Sequence, residues 1–462
     1  MERRERQIPT PNPSSQPDRR VGKAENESEF EFQLRTNRWL RIGLTAKDTE
    51  VRFTNLFSHI NMETLRSAFQ AMDSSKATGI DGRTKSEYGR ELDKNLWDLV
   101  TRLHKGTYRP QPRRRVLIPK ADGKMRPIAI SCFEDKLVEW VLAKLLTTVY
   151  EPMFIRHSYG FRPAKSAHDA IKVTYSSLKD NERPFVVEID FASFFDTVSH
   201  RKLMKLIAKR IQDPRLRSLV ARFLKAGILD EAALMVPDSG TAQGAIVSPV
   251  LANVYLHYAL DSWFQKNYVP KGVMIRYADD AVFLFEKEQD SDNFKRELKT
   301  RMEQFKLTLN EEKSGKLHFH KRRENVFHFL GFTFYWGKDR GTEVRRLRVK
   351  TETKRLYKKA QAFELWVKEA RSRFALEEIW KRAKARLNGH NHYFGVMTNR
   401  ASLWHFYSMA IKALFKWLNR RSQRASFTWQ SFNHFLIRHP LPLPPPMAKL
   451  KPLTNRRYYA AI

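Results

Sequence analysis

The sequence predicts an α/β or α+β catalytic body followed by a helical, strongly basic region. Between Val116 and about Phe334, strand-like runs alternate with runs of helical periodicity, which indicates a domain of mixed helix and sheet. Residues 51–110 look mostly helical, and three apolar stripes with helical spacing recur over about 350–420. Two strand-like segments that carry carboxylates indicate where the sheet does its chemistry.

The N-terminal part divides into a basic extension and a helical segment. Residues 1–24 are rich in Arg, Pro, Ser and Gln and lack an apolar core, so we expect them to be disordered. The helical segment 51–110 contains the run from Gly79 to Gly82, whose composition is typical of a turn.

The next predicted element is a β-hairpin with two basic side chains. Residues 117–128 comprise two strand-like runs around an Asp-Gly dipeptide, which is typical of a tight turn. Lys120 and Arg126 would project from this hairpin and could hold a triphosphate. Basic hairpins are common, so this signal is weak when taken alone.

Three carboxylates on two predicted strands form the candidate catalytic centre. The apolar run 184–191 has the character of a buried strand and carries Asp190 near its end. Asp279 and Asp280 lie between two strand-like runs. Adjacent residues of a strand point to opposite faces, so both can reach one centre only at a hairpin turn. An isolated Asp-Asp pair is usually an acidic surface turn, but Asp190 offers this pair a third carboxylate.

Three carboxylates at one end of a small sheet suit Mg²⁺, which prefers carboxylates and substrate phosphates. Two such ions about 4 Å apart can activate a 3′-hydroxyl and stabilise a leaving pyrophosphate. We therefore predict that Asp190, Asp279 and Asp280 are catalytic and bind two Mg²⁺ ions, with Mn²⁺ as a substitute.

A glycine-rich turn joined to an apolar helix is predicted over residues 240–253. The small residues of this turn, among them Gly240 and Gly244, would permit a substrate to approach the backbone closely.

The C-terminal stripes predict a small helical bundle, with Gly389 as the C-cap of the second helix. The stripes consist of Leu356, Ala360, Phe363 and Val367; of Leu376, Ile379, Trp380, Ala383 and Leu387; and of Leu403, Tyr407, Ala410, Ile411, Leu414 and Leu418. The following segment 440–446 is typical of polyproline-II coil.

Composition indicates a nucleic-acid partner. The 462 residues include 85 Lys and Arg against 50 Asp and Glu, a formal charge of +35 that would be self-repulsive without a polyanion. A membrane surface is the alternative, but no run of 18 apolar residues occurs. The single cysteine, Cys132, excludes intramolecular disulfides and a Cys-rich zinc module and fits a reducing compartment. We expect Cys132 to be a structural residue.

The positive charge is concentrated near the C-terminus. From Trp380 to Ile462 there are fifteen Lys and Arg and fourteen aromatic residues but no Asp or Glu. Such a stretch indicates a surface for phosphate backbones, with aromatics divided between the core and base stacking. We select as RNA-binding residues Lys381, Lys384, Arg420 and Arg424.

Three histidines of this region, His390, His392 and His405, could alternatively form a metal cluster. No cysteine or acid lies nearby in the sequence to complete a metal shell, so contacts with RNA are the preferred interpretation.

In their order along the chain, the motifs resemble those of reverse transcriptases, and most of all those of the bacterial group II intron-encoded reverse transcriptase/maturase family. The resemblance runs from about Phe53 to Pro442, and the ordered set is far more specific than any one motif. The set comprises Lys120 with Arg126, Tyr159-Gly160-Phe161-Arg162-Pro163, Asp190 with Phe195, Gln243-Gly244, Tyr277-Ala278-Asp279-Asp280, Leu309-Asn310-Glu311-Glu312-Lys313 and Phe329-Leu330-Gly331-Phe332.

The resemblance implies an α+β right-hand polymerase, with fingers and a palm that holds a small antiparallel sheet, within 51–340. An α-helical thumb, the maturase X domain, would follow at 341–425, where Leu387–Phe394 resembles the X motif. A partly disordered basic extension, 1–50, and a basic Pro-rich tail, 426–462, would flank them. We expect no endonuclease domain, because the chain lacks the paired cysteines of the His-Asn-His nuclease module that many relatives carry.

It further implies roles in substrate binding. Lys120 and Arg126 would hold the incoming deoxynucleoside triphosphate, and Gln243 would line its pocket. Phe195 would be the aromatic gate that clashes with a ribose 2′-hydroxyl, with core packing against Phe194 as the alternative.

Two further roles follow from the other motifs. Lys313 would bind the substrate and protonate the leaving pyrophosphate, with a solvated helix lysine as the alternative, and Arg162 would contact RNA. Ala242 and Ala245 replace the Pro and second Gly usual in the family, so the nucleotide pocket should persist with altered stiffness.

The predicted function is RNA-directed DNA synthesis combined with binding of intron RNA to assist splicing and mobility. A domesticated reverse transcriptase acting in DNA repair or phage defence is the alternative, and only genomic context would distinguish it. A splicing-only protein is disfavoured by the intact catalytic motifs, and an RNA replicase is disfavoured by Phe195.

The expected partners are an intron or other structured RNA template, a DNA primer or target and dNTPs, and no membrane. The oligomeric state is open, with a homodimer among the options. We expect the protein in the bacterial cytoplasm, on the nucleoid or in a ribonucleoprotein.

Overall fold

Three small β-sheets surrounded by helices form the protein, as seen in a computed structural model. The described residues are 37–119, 125–230, 233–235, 239–339, 341–421 and 426–453. This arrangement confirms the predicted mixture of helix and sheet. The expectation of disorder for 1–24 lies outside the described residues.

The N-terminal part is helical, as the sequence predicts for 51–110. Its helices are α1 (Arg38–Thr45), α2 (Met62–Ala71), α3 (Lys85–Gly89), α4 (Leu92–His104) and α5 (Phe133–Tyr150). Capping boxes start α2 at Asn61 and α3 at Thr84, because each side chain accepts from the third backbone amide of its helix. The predicted turn is present, with Gly82 at φ +64°.

The first sheet contains the predicted basic hairpin. Strand β1 (Arg113–Pro119) pairs antiparallel with β2 (Met125–Ile130), and β1 also pairs with β4 (Ile228–Asp230), which pairs with β5 (Ala233–Met235). The residues between β1 and β2 are outside the described part of the chain.

The second sheet lies at the centre of the molecule. Its strands, in spatial order, are β6 (Gly272–Tyr277), β7 (Asp280–Phe285), β3 (Phe185–Ile189) and β8 (Gly315–His318). Val187 packs into one hydrophobic cluster and its neighbour Val186 into another. Both faces of the sheet are therefore buried at β3 and β7, which explains why these two strands are nearly continuous apolar runs.

Helices cover this sheet and connect its strands. They are α6 (Ala167–Leu178), α7 (Phe194–Thr197), α8 (His200–Ile207), α9 (Pro214–Lys225), α10 (Ser248–Leu256), α11 (Ser262–Tyr268) and α12 (Glu288–Gln304). A π-helical segment, His257–Asp261, joins α10 to α11.

A third sheet and a helical bundle complete the described fold. The sheet consists of β9 (Val326–Phe329), β10 (Phe332–Lys338) and β11 (Arg345–Thr351), and the helices are α13 (Thr353–Arg373), α14 (Leu376–Phe394), α15 (Arg400–Leu418) and α16 (Trp429–Arg438). The three predicted stripes lie on α13, α14 and α15 and, apart from Leu403, share one hydrophobic cluster, in which Ala360, Leu376, Tyr407 and Ile411 are only partly buried. Leu403 is buried in the cluster that includes the third sheet. The bundle prediction is confirmed.

Two details of this region bear on the predictions. Gly389 lies inside α14 rather than at its C-cap, so that prediction was wrong: the helix continues to Phe394, whose ring is buried. Residues 440–446 belong to no helix or strand, and their polyproline-II character stays a prediction. None of the described helices is both long and apolar enough to cross a membrane.

Candidate active site and nucleic-acid interface

The paired carboxylates lie at a tight hairpin turn, as their spacing predicts. Strands β6 and β7 pair antiparallel up to Tyr277 and Asp280, so the two-residue loop consists of Ala278 and Asp279. Ala278 has φ +57°, in the left-handed region that such turns use. We call Ala278-Asp279 the catalytic-motif turn.

Asp190 lies beside this turn. Strand β3 pairs antiparallel with β7 and places Ile189 opposite Ala281, so the next residues along the ladder are Asp190 and Asp280. The Lys313 Nζ lies 3.5 Å from the Asp190 Oδ2. The predicted neighbouring strands and the convergence of the three acids at one end of the sheet are therefore present.

The surroundings of Asp279 and Asp280 disfavour the ionised form of both carboxyl groups. Burial raises the pKa of Asp279, and the nearby Asp190 adds to the rise. Burial, then Asp279 and Asp190, raise the pKa of Asp280 to about 7, although its side chain keeps contact with solvent. Three anions in one partly desolvated place are costly without a neutralising cation.

The donor set can be tested against the predicted cation. Carboxylate oxygens are the ligands that Mg²⁺ prefers, and the raised pKa values indicate that a cation would be stabilising here. Among the residues that the structure describes, no three His, Cys, Asp or Glu side chains form a ready metal shell. The chemistry of the donors fits; additional ligands would have to come from water and substrate phosphates.

Of the two basic residues predicted to bind the triphosphate, Arg126 lies in the described part of the chain. Arg126 is exposed on β2 and lies close enough to Asp279 to oppose the rise in its pKa. The hairpin thus reaches the carboxylates from the first sheet. Lys120 lies outside the described residues.

The glycine-rich turn packs against the same hairpin. The Ala129 backbone N–H donates to the Gln243 carbonyl at 2.7 Å. Gly244 has φ +107°, and a Cβ on it would lie 2.6 Å from the Ile128 side chain. The need for glycine here therefore arises from the approach of β2, whereas the sequence suggested only the approach of a substrate.

Ala242 and Ala245 belong to one tight turn, in which the Ala245 N–H donates to the Ala242 carbonyl at 3.2 Å. Ala245 is buried, so a small residue suits its position.

Phe195 is half-buried and lies in the first turn of α7. Its ring meets Phe194 edge-on at a centroid distance of 5.4 Å. The Thr241 N–H donates to the Phe195 carbonyl at 2.6 Å, which holds the glycine-rich turn beside it. A ring that is partly packed and partly accessible is compatible with both interpretations of this residue.

Arg162 requires a correction, because the sequence analysis assigned it to RNA. Its guanidinium is buried and donates to Glu151 and to the carbonyls of Ile155 and Ser158. It also stacks over the Phe154 ring. Arg162 is therefore a structural residue that holds its own loop.

Several residues around the carboxylates were missed by sequence reasoning. Asn310 bonds to Asp190, and Arg355 lies near enough to Asp280 to oppose the rise in its pKa. Gly160 packs against the catalytic-motif turn, where a Cβ would lie 2.2 Å from the Ala278 nitrogen. Asn310 and Gly160 lie in motifs that had been recognised, but only the fold reveals these contacts.

The predicted RNA-binding residues occupy different environments on the bundle. Lys381 and Arg420 are exposed, and the Arg420 guanidinium lies 5.3 Å from the Trp417 ring centre. Lys384 is half-buried, and Arg424 lies outside the described residues.

The three histidines do not form a cluster. His390 is buried, stacks on Phe406 at 3.6 Å, and has a pKa lowered by burial to about 3. The expectation that it contacts RNA was therefore wrong. His392 and His405 are exposed.

Comparison with known proteins bears on this site. Residues 118–334 match the reverse transcriptase (RNA-dependent DNA polymerase) family. Protein YkfC of Escherichia coli K12 is 34% identical over 275 residues, which are 52% of this chain and 72% of that protein.

Several relatives are named for introns. The group II intron-encoded protein LtrA of Lactococcus lactis subsp. cremoris is 36% identical over 218 residues, 46% of this chain and 36% of LtrA. A 91 kDa protein in the cob intron of Schizosaccharomyces pombe is 42% identical over 146 residues, 32% of this chain and 18% of its own length. The chain thus covers little more than a third of LtrA's own length.

Proposed function

The chain belongs to the group II intron-encoded reverse transcriptase/maturase family, and we propose that it is an active RNA-directed DNA polymerase that also binds intron RNA. In this proposal the first two sheets and their helices, within 51–340, act as fingers and palm. The bundle within 341–425 acts as the thumb and X domain. The intron RNA, its DNA target and the deoxynucleotides are proposed partners, as is the assistance to splicing and mobility.

The observation that carries the proposal is the junction of Asp190 with the catalytic-motif turn. Two antiparallel strands bring Asp190 beside Asp279 and Asp280 at the end of a doubly buried sheet. Burial of both sheet faces makes this end rigid, and phosphoryl transfer depends chiefly on positioning and on neutralised charge.

Each of these residues has a proposed task. Asp190, Asp279 and Asp280 would hold two divalent cations, taken as Mg²⁺, which supply charge neutralisation at the reacting phosphate. Arg126 and Lys120 would orient the triphosphate. Gln243 would line the pocket, and Lys313, held near Asp190, would give a proton to the departing pyrophosphate.

The sugar and the template impose further requirements. Phe195 would exclude a ribose 2′-hydroxyl by steric contact; its side chain is half-buried, and its backbone carbonyl accepts from Thr241 in the turn that carries Gln243. Lys381, Lys384, Arg420 and Arg424 would bind the phosphates of structured RNA. The alternative role in DNA repair or phage defence gains no support from the relatives, several of which are named for introns.

Primer extension tests the proposal. The purified chain should extend a DNA primer on an RNA template in the presence of Mg²⁺, and should stop when the ion is chelated. Binding to a structured intron RNA should persist in the chelator, because phosphate contacts by Lys and Arg supply it. Failure to extend any primer on RNA, by a folded chain that binds the RNA, would refute the polymerase assignment.

A further inference from the structure

A buried ion pair lies directly behind the catalytic-motif turn. Arg276, on β6, and Asp261 are both fully inaccessible to solvent. The Arg276 Nε donates to Asp261 Oδ1 at 2.7 Å and its Nη2 donates to Oδ2 at 2.5 Å. This is the two-point geometry in which a guanidinium is fixed in orientation as well as in place.

The remaining arm of the guanidinium reaches the turn itself. The Arg276 Nη1 donates to the Ala278 carbonyl at 2.8 Å and to the Asn253 Oδ1 at 3.1 Å. Ala278 has φ +57°, which a residue with a Cβ adopts only under constraint. A hydrogen bond from a fixed charge to its carbonyl is such a constraint, and the next residue along the chain is Asp279.

The position of Asp261 depends on an unusual piece of helix. Asp261 ends the π-helical segment 257–261 between α10 and α11. A π-helical turn holds one residue more than an α-helical turn, so it rotates the side chains that follow it. In this structure the segment presents Asp261 toward β6, and such segments are frequent at functional sites.

Asn253 and Gly160 also support the catalytic-motif turn. The Asn253 Nδ2 donates to the Gly160 carbonyl at 2.8 Å, and Gly160 packs against the Ala278 nitrogen. The Tyr159 N–H donates to the Arg276 carbonyl at 2.8 Å. The turn is therefore held from behind by Arg276, Asn253 and Gly160 together.

We propose that Arg276 and Asp261 are positioning residues of the polymerase, and that they hold Asp279 in its reactive place through the Ala278 carbonyl. The inference rests on the proposed polymerase function. Neither residue touches substrate in this scheme; each acts through the turn.

The arrangement is hard to explain by stability alone. A buried ion pair contributes little or nothing relative to well-packed apolar residues, because desolvation offsets the attraction between the charges. An apolar pair of similar volume would therefore be tolerated by the fold. It could not donate to the Ala278 carbonyl.

The test follows from this difference. The double variant Arg276→Met/Asp261→Leu removes both charges and leaves neither one unpaired. The matched control is Arg210→Met, since Arg210 is also fully buried and donates to the carbonyls of Ala46, Asp48 and Val51, away from the turn. Thermal unfolding, kcat and KM for dNTP, RNA affinity and amide hydrogen exchange of residues 275–281 are measured for each.

The double variant should keep a cooperative unfolding transition and wild-type RNA affinity, while kcat falls roughly 100-fold, the scale expected from misplacement by about 1 Å. The KM for dNTP should change less. Amide exchange over 275–281 should accelerate. Arg210→Met should lower thermal stability without a selective loss of kcat or faster exchange in that segment.

The other possible outcomes also show whether the inference or the proposed function is wrong. A folded double variant with wild-type kcat and wild-type exchange overturns the inference, whereas a wild-type protein without synthesis overturns the proposed function instead. If the double variant does not fold, Arg276→Lys replaces it, since lysine keeps the charge but lacks the fork. A folded Arg276→Lys should lose roughly tenfold in kcat with faster exchange, and unchanged values of both would overturn the inference.

Discussion

Asn310 holds Asp190 through two hydrogen bonds, one from its backbone N–H to the Asp190 carbonyl at 2.8 Å and one from Nδ2 to Oδ2 at 3.2 Å. The Ser314 hydroxyl also accepts from the Asp190 N–H at 3.1 Å. The loop between α12 and β8 therefore orients a carboxylate that lies on a different strand. One Asp190 oxygen remains for other partners, which suits a proposed metal ligand whose neighbours fix its direction.

We expect Asn310→Ala to reduce kcat by about 10- to 100-fold, the usual cost of removing a residue that orients a metal ligand. Asn310→Asp should be worse, because it adds a negative charge next to Asp190. Steady-state primer extension over a range of Mg²⁺ concentrations measures this, and part of the Asn310→Ala defect should be recovered at high Mg²⁺. Wild-type kcat in both variants would contradict the orienting role.

Asp190→Asn and Asp279→Asn should each abolish DNA synthesis. A lost ligand charge would remove transition-state stabilisation worth several kcal/mol at a two-metal centre. RNA affinity, measured by filter binding, should be unchanged in both variants. Glu312→Gln, at an exposed carboxylate of the neighbouring loop, is the control and should keep synthesis. Activity retained in either aspartate variant would refute the assignment of the metal ligands.

Phe195→Val should raise the incorporation of ribonucleotides relative to deoxyribonucleotides, because only a bulky side chain next to C2′ excludes the hydroxyl. Competition between rNTP and dNTP in single-nucleotide extension measures the ratio. Phe194→Leu is the matched control, since Phe194 is buried and meets Phe195 edge-on. Unchanged sugar selection in a folded Phe195→Val variant would favour simple core packing.

Asp280→Asn should abolish synthesis yet raise the thermal stability of the protein at pH 8 in the presence of a chelator. The pKa of Asp280 is raised from 3.8 to about 7 by burial and by Asp279 and Asp190. Between these two pH values the folded protein keeps a proton that the unfolded chain has lost, so stability falls as pH rises through this window. Asparagine has no such charge.

The stability difference between Asp280→Asn and wild type should therefore shrink as pH falls through about 7, the pKa of the folded protein. It should also shrink when Mg²⁺ is added, since a bound cation would offset the repulsion. Because Asp280 retains contact with solvent, the difference should be modest. A difference that does not vary with pH would indicate that another group is responsible.

Replacing the predicted RNA-binding residues with alanine should reduce the magnitude of the slope of log K against log salt by about three units. Each phosphate contact contributes roughly −0.7 to −0.9 to that slope. The residues are Lys381, Lys384, Arg420 and Arg424. Extension of a pre-bound primer–template should suffer less, because the carboxylates lie at the end of the second sheet, whereas Lys381 and Lys384 lie on the helical bundle.

A control with the same change in net charge separates local contact from overall charge. It replaces four lysines that already pair with carboxylates, Lys94, Lys299, Lys316 and Lys338. These lysines should contribute little to phosphate binding, so the salt slope should stay near that of wild type. Equal slopes for both quadruple variants would show that the C-terminal region carries no special share of the affinity.

Periodicity and the position of turn residues were enough to predict much of the architecture. The stripes of α13, α14 and α15 were correct because a helix buries every third or fourth residue, a local property of the chain. The hairpin that carries Asp279 and Asp280 was predicted for a similar reason, since two adjacent acids between strand-like runs fit one short turn. The prediction that α14 ends at Gly389 was wrong, because the packing of α14 in the bundle outweighs the weak helix propensity of one glycine.

Contacts between segments that are distant in the chain could not be predicted from the sequence. The sequence analysis assigned Arg162 to RNA and gave Arg276 no role, but the fold buries both and pairs each with carboxylate and carbonyl oxygens. Whether an arginine meets solvent, RNA or a buried aspartate depends on which segments pack around it. The amino-acid sequence thus determined the periodic elements, the charge and the three carboxylates. Only the tertiary structure decided which cations face outward and what holds the catalytic-motif turn, because these depend on residues brought together from far apart in the chain.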